Sequence, residues 1–217
     1  MPPYGLMGLE ACSLRGLFRS NYDTGKGRDD MKVLMINAAF REGSRTLRLA
    51  NYYLEKFHAE DEVEWIDLGT QCPQPLDAAR LAVYNEAVAA RDFSHEMFAW
   101  AKQFTQADVI LIAAPFWNYS IPAVLHAYLE LVCSQGVSFD ICPDGSYVSL
   151  CRAKKLVYFS TAGGGFPDPD CGFGLIKTMS DAFWRIPDVR AYQAENLDII
   201  GTDVERTLKA VMRQMKK

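Results

Sequence analysis

The chain has 217 residues, 49% of them hydrophobic, and a net charge of -4. That length supports one large domain with its own core, without a disulfide or metal staple. No basic block supplies the electrostatic footprint of a nucleic-acid binder, and no apolar run reaches the roughly 20 residues that span a bilayer.

Residues 1–30 differ in character from the rest and end in the polar stretch NYDTGKGRDD. Three readings of this N-terminal extension stay open: a disordered tail, an arm that packs on a partner subunit, or an upstream start codon. It lacks the continuous apolar segment of a secretion signal, so a cytoplasmic location is expected. The six cysteines (Cys12, Cys72, Cys133, Cys142, Cys151 and Cys171) include no CxxC pair, and with three histidines they form no zinc spacing. Reduced thiols are expected.

The domain opens abruptly at Met31. Val33 to Ala38 is a nearly continuous apolar run, as in a strand covered on both faces. Leu47, Ala50, Leu54 and Phe57 then recur at helical spacing within Ser44 to Phe57. Val63 to Ile66 is a short strand, and Thr70 to Asp77, with Pro73 and Pro75, is a loop. Ala78 to Ala107 is helical and broken near Asp92, with Phe93, Met97, Ala101 and Phe104 on one face of its later part. Val109 to Ala114 is a pure apolar strand stopped by Pro115. Ala123 to Ser134 is a helix with Leu125, Tyr128, Leu129 and Val132 inward. Val137 to Leu150 reads as a hairpin around Pro143-Asp144-Gly145. Lys155 to Thr161 is a buried strand, Leu175 to Trp184 a helix and Val189 to Ala194 a last strand. Thr202 to Lys217 closes the chain as a helix striped by Val204, Leu208, Val211 and Met215.

This alternation implies an α/β domain over residues 31–217, a doubly wound parallel sheet with helices on both faces. Ligands of such sheets bind beyond the carboxyl ends of the strands, where strand order reverses. The loops after Ala38, Ala114 and Thr161 are therefore the places to look. The first contains Gly43-Ser44-Arg45-Thr46 at a helix N-terminus. Free N–H groups and hydroxyls there suit a phosphate, while Ser44 is equally able to act only as a helix cap. The second is Pro115-Phe116-Trp117-Asn118-Tyr119. Its aromatic faces suit a flat conjugated ligand, or else they pack in the core or against a subunit. The third, Thr161-Ala162-Gly163-Gly164-Gly165, brings bare backbone to a ligand, or is an ordinary flexible loop. Neither GxGxxG nor GxxxxGK[ST] is present. One phosphate loop, one aromatic loop and one glycine loop at a single sheet edge describe a flavin mononucleotide (FMN) pocket.

At these loops the sequence resembles the FMN-dependent NADH-azoreductase branch of the flavodoxin-like NAD(P)H:quinone oxidoreductases. The resemblance runs from about Met31 to the C-terminus. It is carried by KVLMINA, ADVILIAAPFWNYSIPAVLHAYLELVCSQGVSF and STAGGG. It implies a flavodoxin-like five-stranded sheet of order 2-1-3-4-5. Ser44, Arg45 and Thr46 would hold the phosphate, and Pro115, Phe116, Trp117, Asn118 and Tyr119 would line the ring and ribityl chain. Thr161, Ala162, Gly163 and Gly164 would meet the polar edge of the ring. It also implies NADH or NADPH as donor, a quinone or azo acceptor, ping-pong turnover, and a homodimer with the flavin near the interface. The chain departs from the family pattern at Ala38-Ala39-Phe40, where a serine is usual, at Ala162, and over Phe166 to Pro187. A flavodoxin-type electron carrier and a flavin reductase are the alternatives. An iron–sulfur flavoprotein is disfavoured by the scattered cysteines.

Overall fold

The computed structural model describes residues 31–217, so the expectations for residues 1–30 lie outside the described residues. In chain order, β1 (Lys32–Asn37) leads into α1 (Arg45–Phe57) and β2 (Glu62–Asp67). A short α2 (Leu68–Gln71) and then α3 (Ala78–Ala90) follow. A 3₁₀ turn (Glu96–Phe98) enters α4 (Ala99–Gln106), β3 (Val109–Ala113) and α5 (Ala123–Val132). The hairpin β4 (Phe139–Ile141) and β5 (Tyr147–Ser149) precedes β6 (Lys155–Thr161). Next comes α6 (Phe173–Met179), which runs into a π-helical turn (Ser180–Trp184); β7 (Asp188–Ala194) and α7 (Val204–Gln214) complete the chain.

Five strands form one parallel sheet of order β2-β1-β3-β6-β7, which is the expected 2-1-3-4-5 once the separate β4-β5 hairpin is set aside. Side chains alternate between two cores. Leu34, Ile36, Ile110, Ile112, Leu156 and Tyr158 face α4, α5, α6 and the π-helical turn through Phe104, Leu125, Tyr128, Ile176 and Trp184. Val33, Met35, Leu111, Val157 and Phe159 face α1 and α7 through Leu49, Ala50, Tyr53 and Leu208. Burial on both faces explains why β1, β3 and β6 read as continuous apolar runs.

Local chemistry accounts for the departures from expectation. The loop predicted from Thr70 begins later because the Asp67 carboxylate caps α2, accepting from the Gly69 and Thr70 N–H groups at 2.9 and 3.2 Å. α6 begins at Phe173 rather than Leu175. Asp170 Oδ1 accepts from the Gly172 and Phe173 N–H groups at 2.7 and 3.3 Å and nucleates the helix earlier. Cys72, Cys133, Cys151 and Cys171 are free thiols. Cys142 is disulfide-bonded, against the expectation of reduced thiols, because pairing follows proximity in space rather than sequence spacing. Burial pushes the Cys133 and Cys151 thiols up to about 12, so neither is a thiolate nucleophile at neutral pH.

His58, at the end of α1, is buried, with Nδ1 2.7 Å from Asp61 Oδ2. Burial pulls its imidazole below the usual histidine range and outweighs the opposing pull of Asp61. The unfolded chain therefore binds a proton at His58 more readily than the folded chain. Stability is full above the unfolded value of about 6.5 and is lost as pH falls through the lower folded value. His58→Gln should flatten that acid limb in urea titrations at stepped pH. An unchanged pH slope would assign the limb to other groups.

Candidate functional site

β1 and β3 are neighbours, but the chain leaves them toward opposite edges of the sheet, so a crevice opens where their carboxyl ends diverge. Backbone hydrogen bonds carry the ladder past the strands and fix the roots of the loops. Ala38 N–H donates to Ala113 O at 2.8 Å, Phe116 N–H to Thr161 O at 3.0 Å, and Ala162 N–H to Ala194 O at 2.9 Å.

The first loop ends at the Ser44 cap, whose Oγ accepts from Leu47 N–H at 3.3 Å. Capping leaves the Arg45 and Thr46 N–H groups without partners among the described residues, at the positive end of a 13-residue helix. Ser44 therefore caps the helix while its neighbours stay available to an anion. Thr46 is 1% exposed, and its Oγ1 lies 2.6 Å from Thr161 Oγ1, which joins the first loop to the third.

The aromatic loop is a two-residue reversal. Trp117 and Ser120 exchange backbone hydrogen bonds at 2.9 Å, and Asn118 and Tyr119 between them take φ of 51° and 59°. Left-handed conformations at both positions are what a tight hairpin turn demands. Phe116 is held against Phe166 with ring centroids 5.0 Å apart, and Trp117 meets Phe40 edge-on at 6.2 Å. Asn tolerates the left-handed region and a β-branched residue does not. Asn118→Val is therefore expected to distort the turn and lower flavin retention about tenfold, measured by fluorescence titration. Asn118→Gly should keep it, and equal retention in both variants would detach the turn from binding.

The glycine loop is zipped to the segment after β7. Asn196 N–H donates to Gly164 O at 2.8 Å, Leu197 N–H to Ala162 O at 3.2 Å, and Asp198 N–H to Gly163 O at 3.0 Å. Gly163, Gly164 and Gly165 keep their own N–H groups without partners among the described residues.

Together these segments line one cleft of about 350 Å³, within the roughly 300–1,000 Å³ range of small-molecule sites. Of the residues predicted from sequence, Ser44, Arg45, Thr46, Pro115, Phe116, Trp117, Asn118, Thr161, Ala162 and Gly163 lie on its wall. Tyr119 and Gly164 do not. The left-handed turn swings Tyr119 outward, where it is 72% exposed, and Gly164 is likewise exposed. The sequence reading assigned no role to Ala39, Leu197 and Asp198, which are also on the wall. Applying the carboxyl-edge rule to the last strand would have found the latter two. His126 is at the solvent edge, 3.4 Å from Ser120 Oγ.

A doubly wound sheet with an anion-receptive, aromatic-lined cleft at its switch point defines a flavodoxin-type protein. A family model described as the flavodoxin-like fold matches residues 31–217, and the chain belongs to that family. The FMN-dependent NADH:quinone oxidoreductase 2 of Clostridium acetobutylicum is 34% identical over 198 residues, covering 86% of this chain and 96% of that protein. The FMN-dependent NADH:quinone oxidoreductase of Coprothermobacter proteolyticus is 30% identical over 196 residues, with the same coverage of each. Among solved structures, an FMN-dependent NADH-azoreductase from Bacillus anthracis in complex with FMN superposes with a TM-score of 0.71. It is 19% identical, over 84% of this chain and 95% of that one, and shows the shared fold.

The cleft's own donors fit FMN. Free N–H groups of Arg45 and Thr46, the Arg41 and Arg45 side chains, aromatic rings and bare glycine backbone all lie on its wall. Among the described residues of the wall, Asp198 is the one opposed to an anion.

Proposed function

We propose that this protein is an FMN-dependent NAD(P)H oxidoreductase that reduces quinones or azo compounds by ping-pong turnover, acting in the cytoplasm as a homodimer. The observation that carries the reading is the convergence, in one cleft, of the free Arg45 and Thr46 N–H groups with the Phe116–Asn118 turn and the Gly163 backbone. Bound FMN would supply the redox chemistry, accepting hydride from a reduced nicotinamide and passing two electrons to the acceptor.

The protein's part is to bind, orient and shield. Thr46, Arg45 and Arg41 hold the phosphate end through helix-terminal N–H groups and cationic side chains. Phe116 and Trp117 supply apolar walls. Asn118 and the free N–H group of Gly163 are the donors available to a polar ring edge, where developing negative charge is stabilised. Trp117, 42% exposed, rims the mouth and offers donor and acceptor one aromatic surface to occupy in turn. α3 buries none of its residues and exposes Leu81 and Val83 on different sides, so it has surface available to a second copy. Among the described residues no helix is long and apolar enough to cross a membrane.

An absorption spectrum tests the reading. Purified protein reconstituted with FMN should show a flavin spectrum that NADH or NADPH bleaches anaerobically and a soluble quinone restores. Failure to bind FMN would remove the cofactor assignment. Binding without reduction by either nicotinamide would favour an electron carrier, and release of FMN on each turnover a flavin reductase.

A further inference from the structure

The guanidinium that the sequence assigns to a phosphate already has an anion. Arg45 Nη1 donates to Asp198 Oδ1 at 2.7 Å and to the Leu197 carbonyl at 3.3 Å. The Asp198 side chain lies so close over the Gly163 Cα that a Cβ added there would collide with the carboxylate. That carboxylate is therefore on the cleft wall, between the anion-receptive helix end and the glycine strip. Arg41, also on the wall, has no ion pair among the described residues.

We propose that Asp198 is a resident anion that competes with the FMN phosphate for Arg45, and so sets how strongly the cleft prefers a phosphorylated over an unphosphorylated flavin. This rests on the FMN reading of the cleft and deepens it. The Asp198 side chain is 71% exposed, so its pair with Arg45 is weak and screened and opens readily. A phosphate offers Arg45 a stronger, bidentate, charge-assisted partner. Asp198 cannot leave when displaced. Its own N–H is bonded to Gly163 O, and Leu197 N–H to Ala162 O, so the segment stays zipped to the glycine loop and only the side chain rotates. A phosphate that takes the Arg45 guanidinium must therefore break an ion pair and then sit beside a like charge. Riboflavin has no phosphate and meets neither obstacle. Asp198 lowers the affinity for FMN selectively and keeps the phosphate advantage of the cleft below its maximum.

The test is Asp198→Asn, an isosteric change at an exposed position, titrated at low ionic strength with FMN, riboflavin and inorganic phosphate. FMN should bind about two- to fivefold more tightly to the variant, the effect of one nearby exposed charge, while riboflavin affinity stays the same. In an Arg45→Gln background the FMN gain should shrink, because the two residues then no longer compete. FMN affinity that is unchanged or weaker in Asp198→Asn, or riboflavin gaining as much as FMN, overturns the proposal. If neither protein binds FMN, the functional reading falls separately. Inorganic phosphate then decides the inference: greater thermal protection of the variant supports it, and equal protection overturns it.

Discussion

Replacing Thr46 with glutamate is expected to raise the dissociation constant for FMN by about 100-fold or more, because it sets a carboxylate among the donors meant for the phosphate. Two charged groups about 5 Å apart interact by several kcal/mol at an effective dielectric near 20, and salt reduces that only in part at a recessed site. Every 1.4 kcal/mol is tenfold in affinity, so a hundredfold loss is the conservative figure. The change also removes the 2.6 Å link between Thr46 and Thr161, which fixes the first loop against the third. Thr46→Val removes that link without adding charge and should lose about tenfold. Flavin fluorescence titration gives both numbers, with far-UV circular dichroism confirming the fold. Wild-type affinity in Thr46→Glu would mean that the phosphate binds elsewhere. The result is independent of Asp198, since Thr46 offers its N–H and hydroxyl whether or not Arg45 is paired.

What the sequence made legible follows from where single residues dominate their surroundings. The pure apolar run from Val109 to Ala114, stopped by Pro115, marks a buried strand, found over Val109–Ala113, and so places the aromatic loop that follows it. The Val204–Leu208–Val211–Met215 stripe likewise marks the last helix, expected over Thr202 to Lys217 and found over Val204–Gln214 between its Asp203 and Met215 caps. Short-range side-chain chemistry was harder to read. Pro73 and Pro75 made residues 70–77 look like a loop, while the cap at Asp67 held Thr70 and Gln71 in a helical turn. Asp170 started α6 early by the same means. Asp198 was invisible for a different reason. It belongs to no motif, and its place in the cleft depends on β7 lying beside β6, which carries the Gly163 loop to it. Tyr119 shows the converse: an aromatic in the right loop was turned away from the cleft by its own left-handed backbone.

Leu111→Ala should cost about 2–5 kcal/mol of unfolding free energy, the range for truncating a fully buried leucine. Leu111 is 0% exposed, at the centre of β3, with Met35 of β1 and Val157 of β6 as its register partners. Little can collapse into the space, because both flanking strands are held by their own ladders and by α1 and α7 above. Urea unfolding of the flavin-free protein measures the loss, and a cost under about 1 kcal/mol would contradict this packing. The same strand ends at Ala113, just before the Pro115–Asn118 segment that lines the cleft, so the variant also tests whether site and core are separable. A ligand at 100 times its dissociation constant stabilises the state that binds it by about 2.7 kcal/mol. If the ladder bonds from Ala38 to Ala113 and from Phe116 to Thr161 hold the cleft, saturating FMN should add the same increment to variant and wild type. A variant that loses core stability and the FMN increment together would show instead that cleft geometry depends on the packing beneath β3. The loops would then be set by the core as a whole rather than by the hydrogen bonds at their roots.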